Sequence, residues 1–172
     1  MELDFEIDKI TNSIENAETG EVLKTLVLPL EKADLKEITK KNGWLFNWKL
    51  EFSFPERKVS KLVTIKEPSI IQGLVSFEIK DNFVYMHLIE SSPLNLGKGK
   101  KYLGVCGNLT AYGCKVSTEQ GFDGEIAFIS KTQIISHYEE TLGAVHIGGG
   151  RMIVYKDRAK LLLDKYFPEM EV

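Results

Sequence analysis

The chain is 172 residues long, 43% hydrophobic and 27% charged, with five prolines and a formal net charge of −3. That composition suits a globular protein with one buried core, and the mild acidic balance excludes the basic face that general nucleic-acid binding requires. The opening residues, MELDFEIDK, lack the basic start and apolar run of a signal peptide, and no window approaches the roughly 20 apolar residues of a membrane span. The expectation is a cytoplasmic protein, not membrane-bound, forming a single domain over 1–172.

Along the chain, residues 4–30 read as strands. Segments 5–14 and 22–30 flank the turn signal Asn16 to Gly20 and are predicted to pair as a hairpin. Leu35 and Ile38 suggest a short helix ended by Asn42-Gly43. Phe46, Trp48, Leu50 and Phe52 then alternate with Asn47, Lys49, Glu51 and Ser53 before Pro55, the pattern of a strand. Such an aromatic face serves a sheet packed on helices or, where exposed, a partner surface. A short strand is expected at 62–65. Residues 71–79 and 83–89 are predicted to form a second hairpin about Lys80-Asp81-Asn82, with its second strand ending at Glu90-Ser91.

The next stretch, Gly97 to Gly121, reads GKGKKYLGVCGNLTAYGCKVSTEQG. Val105, Leu109, Tyr112 and Val116 recur on one face of a helix, and Gly121 can stop it in a left-handed turn. A strand at 125–130 and a helix at 132–142 follow, the helix capped by Thr132 and ended by Gly143. Strands near 145–147 and 151–155 come next. A last helix is predicted from an Asp157 cap, burying Leu162, Leu163 and Tyr166 and stopping before Pro168. This order implies an α+β fold, a central mixed and mainly antiparallel twisted sheet flanked by helices, with one parallel crossover late in the chain.

The helix after Gly104 starts with backbone N–H groups that have no partner inside it. With Lys98, Lys100 and Lys101 nearby, and with Gly104 and Gly107 admitting close approach, those donors form a place for a phosphate. The same residues also read as a glycine loop before a core helix with solvated lysines. A Walker loop is excluded, because Val105-Cys106 follows Gly104 where Lys-Ser or Lys-Thr is needed. The dinucleotide pattern starting at Gly97 finds Tyr102 in place of its third glycine. Cys106 and Cys114 share the predicted helix about 12 Å apart, too far for a disulfide. They are expected to be reduced thiols, and no metal site is expected.

KYLGVCGNL, residues 101–109, resembles the acyl-CoA-binding motif of the GCN5-related N-acetyltransferases: Arg or Gln, two variable residues, Gly, any residue, then Gly or Ala, at a helix start. Lys101, Gly104 and Cys106 stand in its first, glycine and last positions, so lysine replaces Arg or Gln and cysteine replaces a small residue. Downstream, HYEETLGAVHIG, residues 137–148, is similar to the family's stretch of a helical tyrosine, a Glu-rich turn, a glycine and an apolar strand. Tyr138 and Gly143 take the tyrosine and glycine positions. Lys131 stands where the family often has an asparagine that contacts the pantetheine arm. The likeness is greatest over residues 71–167.

The resemblance implies an acetyl-CoA-dependent N-acyltransferase acting on a small-molecule or peptide amine by direct attack on the thioester, with a homodimer as the family's common assembly. It implies that the diphosphate sits on N–H groups of Val105, Cys106, Gly107 and Asn108, and that the pantetheine arm lies between two splayed parallel strands. Here those would be Ile89–Ser91 and 125–130. Glu90 is then the candidate base, acting through a water, and Tyr138 the candidate acid that protonates the leaving thiolate. The other readings are a CoA-binding module on the same fold that has lost turnover, and a partner-binding domain using the aromatic run at 46–52.

Overall fold

The computed structural model describes residues 1–169. Seven strands form the main sheet: β3 (Thr25–Pro29), β4 (Lys58–Thr64), β5 (Gly73–Ile79), β6 (Val84–Ser91), β8 (Ile126–Ile129), β10 (Arg151–Val154) and β9 (Val145–His146), in that spatial order. Neighbours are antiparallel except β6 and β8, which are parallel and joined by the crossover helix α2 (Val105–Glu119). A second, three-stranded sheet joins β1 (Ile14–Asn16) to β2 (Val22–Leu23) and to β7 (Tyr102–Leu103). The mixed sheet and its late parallel crossover are as the sequence led one to expect.

The β5–β6 hairpin follows from alternating apolar residues on either side of a tight polar turn. Leu74, Val75, Phe77, Val84, Met86 and Leu88 are all buried. Helix α2 packs against β5, β6 and α4 (Lys156–Tyr166). Its buried face is wider than the predicted stripe, because Cys106, Asn108, Thr110, Cys114 and Ser117 are buried along with Val105 and Leu109. At Gly113 a Cβ would lie 2.7 Å from the Phe77 ring, so the helix approaches the sheet closely there. Gly121 and Gly143 adopt φ of 81° and 64°, the left-handed conformation expected after α2 and after α3 (Ile135–Leu142).

Four expectations are corrected. Residues 46–52 are not a strand: Trp48–Ser53 is a helix, α1, capped by the Asn47 side chain, which accepts from the amide of Leu50 at 3.0 Å. Trp48 and Glu51 are buried whereas Leu50 is 52% exposed, a spacing of three rather than two. The hairpin about Asn16 to Gly20 exists, but only as β1 and β2. Residues before it run elsewhere, as described below. Asp157 lies inside α4, whose cap is Tyr155, and the first amide of that helix, Lys156, donates to Glu125 at 3.1 Å. Thr132 opens a short 3-10 turn, Thr132–Ile134, capped by Lys131.

Among the described residues no helix is long and apolar enough to cross a membrane.

Candidate active site

Strands β6 and β8 pair only at Val84 with Ile126 and Tyr85 with Ala127. Beyond Tyr85 they diverge, although β6 continues to Ser91 and β8 to Ile129. The far end of β6 stays bonded to β5, with Val75 opposite Ile89, Leu74 opposite Glu90 and Gly73 opposite Ser91. A wedge therefore opens between the parallel strands, and the N-terminus of α2 lies near it.

The chain's own first residues enter that wedge. Leu3 bridges Ser130 in parallel: its amide donates to the Ile129 carbonyl at 2.7 Å, and its carbonyl accepts from the Lys131 amide at 2.9 Å. The ring of Phe5 packs against Phe128 and Tyr138 at centroid distances of 5.5 and 4.7 Å. The Ile7 amide donates to Nε2 of His137 at 2.9 Å. Farther on, Asp8 Oδ1 accepts from the Gly104 amide at 3.0 Å and Oδ2 pairs with Lys100 at 3.2 Å. The Thr11 amide then donates to the Tyr166 hydroxyl at 3.0 Å. Leu3, Phe5 and Ile7 are buried, while Glu2, Asp4 and Glu6 face outward. A cavity of about 240 Å³ remains between this segment and the edge of β6, lined also by Leu45, Phe46, Leu96, Val105 and Cys106.

Tyr138 lies under the wedge, fully buried, its hydroxyl donating to the Phe5 carbonyl at 2.7 Å. Burial pushes its pKa well above the ordinary tyrosine value, so it is a neutral hydrogen-bond donor. Glu90 lines the cavity and is itself buried. Its Oε2 accepts from the Leu45 amide at 2.7 Å, and its Oε1 from the Trp48 indole at 2.7 Å and the Phe46 amide at 3.3 Å. Three of roughly four acceptor positions on the carboxylate are thus used to hold α1 and the segment before it. Ile89 and Ser91 line the cavity beside it.

The cofactor-motif residues are arranged differently from one another. Gly104 has φ of 91° and gives its amide to Asp8. Close approach at Gly104 and Gly107 is made by the chain itself: added Cβ atoms would lie 2.8 Å from Thr11 Oγ1 and 2.5 Å from the Tyr166 hydroxyl, respectively. Val105 packs on Gly73, where a Cβ would meet it at 2.6 Å. Asn108 is buried, its Oδ1 accepting from Thr25 Oγ1 at 2.8 Å. The Cys106 thiol is pushed up to about 12, chiefly by burial and further by the Asp8 charge. Lys101 is exposed, with its ammonium 5.3 Å from the Tyr102 ring centroid. Lys131 pairs with Asp4 at 2.7 Å. Leu3 and Asp8 were not singled out in the sequence, and Phe5 and Trp48 were read only as residues of strands. Residues 5–14 were expected to form a strand paired with 22–30, and nothing local marked the surface that the first residues cover.

Comparison with solved structures places this architecture among known folds. A chimera of the SpeG spermidine N-acetyltransferase from Vibrio cholerae and hSSAT superposes with a TM-score of 0.59 at 16% identity, over 80% of this chain and 99% of that one. A ribosomal-protein-alanine N-acetyltransferase from Escherichia coli gives 0.51 at 13% identity, over 76% and 90%. AtaTR bound with AcCoA gives 0.55 at 12% identity, over 81% and 98%. No protein-family model and no curated protein sequence matches the chain. The chain has the fold of the GCN5-related N-acetyltransferases.

Proposed function

We propose that the protein is an N-acyltransferase that moves an acetyl group from acetyl-CoA to a primary amine. The observation that carries this is the wedge between β6 and β8, with a buried neutral tyrosine beneath it and a helix N-terminus near it. Strands that part in this way leave backbone groups of β6 unpaired along one edge, a place for an extended amide-bearing chain such as pantetheine. Lys100 and the Gly104 amide supply charge and a donor for a diphosphate.

The thioester is already activated, so the chain's residues have only to hold the amine, take its proton and supply one to the departing sulfur. Tyr138, buried and protonated, is the donor we propose for the thiolate. Glu90 is proposed to hold the segment before α1, with its remaining acceptor position turned to a water that accepts the amine's proton. Leu45, Phe46 and Leu96 give the cavity apolar walls beside that carboxylate, which suits an amine on a carbon chain. The solved neighbours named for N-acetylation of spermidine and of a ribosomal-protein alanine support this acceptor class.

A second reading is favoured by the segment from Leu3 to Asp8. If it never leaves, the fold is kept without donor binding, and the chain acts as a binding module. A thermal-shift titration with acetyl-CoA, with ATP and NAD as controls, separates the two. A ligand at about 100 times its Kd stabilises the folded state by roughly 2.7 kcal/mol, less whatever its entry displaces. A rise in melting temperature with acetyl-CoA alone supports the transferase, and no rise at saturation supports the module.

A further inference from the structure

The N-terminal segment lies where the acyl donor of the proposed function would lie. Its backbone bonds to the end of β8 through Leu3, the Phe5 carbonyl takes the Tyr138 hydroxyl, and the Asp8 carboxylate takes the Gly104 amide and the Lys100 ammonium. Those are an extended backbone, an acceptor on the buried phenol, and an anion at the start of a helix. A thioester sulfur and a diphosphate would ask the Tyr138 hydroxyl, the Gly104 amide and Lys100 for the same bonds, and a pantetheine arm along the free edge of β6 would share the wedge with the segment. The segment uses only one wall of the wedge: Leu3 bonds to the β8 side, and the cavity of about 240 Å³ separates the segment from Ile89–Ser91.

We infer that residues Leu3–Asp8 form an intramolecular strap that competes with the acyl donor for the wedge between β6 and β8, so that donor binding requires the strap to withdraw. This rests on the transferase reading above, which identifies the wedge as the donor's site. The strap lowers apparent donor affinity by the fraction of molecules in which the wedge is open. Whatever loosens it, such as loss of the Asp8 or Asp4 ion pairs, raises that affinity. Its hold is distributed. Phe5 and Leu3 bury apolar side chains, the Ile7 amide is bonded to His137, and the Asp4 and Asp8 carboxylates pair with Lys131 and Lys100 at either end.

The test uses the full chain and coenzyme A itself. Calorimetric affinities are compared for the wild type, Asp8→Ala and Phe5→Ala. Asp8→Ala removes a negative charge as well as a tie, so the charge-neutral Phe5→Ala is measured beside it. Amide exchange over the first ten residues is followed with and without coenzyme A, which keeps the test decisive should Phe5→Ala not fold. The expected result is coenzyme A binding about tenfold more tightly to Asp8→Ala, the factor that one charged hydrogen bond carries. Tighter binding is expected for Phe5→Ala too, with faster exchange at Leu3 and Ile7 when coenzyme A is bound. Equal affinities, with Leu3 and Ile7 as protected in the complex as without ligand, would make the segment a fixed wall and overturn the strap, leaving the transferase intact. Absence of binding to the wild type and to both variants would instead overturn the donor site, and the competition with it.

Discussion

The carboxylate of Asp8 accepts a hydrogen bond from the amide of Gly104 at 3.0 Å and pairs with Lys100 at 3.2 Å, so a side chain from near the N-terminus sits at the start of the helix that follows Gly104. An anion at a helix N-terminus is stabilised by the unpaired N–H groups and the helix dipole. Asp8 shows that this helix start holds an anion, and that the anion held is the protein's own. The consequences extend to the groups around it.

Tyr138 is a donor on the Phe5 carbonyl and, in the proposed chemistry, on the departing thiolate. Tyr138→Phe is expected to cost about 1–2 kcal/mol of stability by leaving that buried carbonyl without its partner, measured by urea unfolding. Turnover is expected to fall roughly 10²–10⁴-fold, the usual share of a general acid, with no loss of coenzyme A affinity, since the change also removes one tie of the N-terminal strap. A variant that turns over as fast as the wild type would remove Tyr138 from the chemistry.

The pH dependence of Tyr138 follows from its burial, which raises its pKa in the folded state above the unfolded value. Between the unfolded and the raised folded value the unfolded phenol can ionise and the folded one does not, so that window favours the unfolded state. On this count Tyr138 contributes its full stability below the ordinary tyrosine value and loses it progressively as pH rises from there toward the folded value. Ultraviolet titration of phenolate should show Tyr138 ionising only with alkaline unfolding. A phenolate signal from this residue in the native protein near pH 10 would contradict its placement.

Glu90 joins β6 to α1 and the segment before it through three donors, the Leu45 and Phe46 amides and the Trp48 indole. Glu90→Ala would strand the Leu45 and Phe46 amides and the Trp48 indole, at an expected cost of about 2–4 kcal/mol. Because Trp48 is fully buried and bonded to Glu90, its fluorescence should shift to longer wavelength if water reaches it. Unchanged stability and emission would mean that these bonds contribute nothing net. Glu90→Gln, which keeps the acceptor oxygen, should recover part of the stability.

Cys106 and Cys114 are both buried, and burial pushes both thiols up to about 12. Since the thiolate is the reactive form, neither should react with a disulfide reagent at pH 8 in the native protein, while both should react on unfolding. Cys106 also lines the cavity beside the N-terminal segment. Its modification should therefore quicken in Asp8→Ala, and that of Cys114 should not. Equal rates at both thiols in that variant would indicate general loosening instead.

Legibility of the fold in the sequence depended on how local each signal was. The hairpin of β5 and β6, the helix closed by Gly121 and the helix closed by Gly143 each carry period and terminator within a few residues, and each was readable. Residues 46–52 were not. Over so short a run, apolar residues at every second position fit a strand pattern, while burial of Trp48 and Glu51 and capping by Asn47 belong to a helix turn. Residues 5–14 were read as extended from the turn signal that follows them, but their partner was read as residues 22–30. Alternation fixes which side chains face inward and says nothing of the surface they face. Leu3 instead bridges Ser130, just past β8 and more than a hundred residues away, and the anchors at Tyr138, His137 and Gly104 are about as remote. Tyr138 and Glu90 were picked out by resemblance, and the structure puts both beside the wedge. The bonds that restrain them come from Phe5, from the segment before α1 and from Trp48 in α1, which no spacing in the sequence announced.

The proposed amine acetylation at the wedge between β6 and β8 is read out by release of free coenzyme A thiol from acetyl-CoA in the presence of spermidine, a simple alkyl diamine and a peptide with a free N-terminus. Wild type, Asp8→Ala and Tyr138→Phe are compared at equal concentration. The expected result is amine-dependent release by the wild type, faster in Asp8→Ala at limiting acetyl-CoA and strongly reduced in Tyr138→Phe. Binding of acetyl-CoA without amine-dependent release by the wild type or by Asp8→Ala would contradict the transferase across this amine panel and leave a donor-binding module on the same fold.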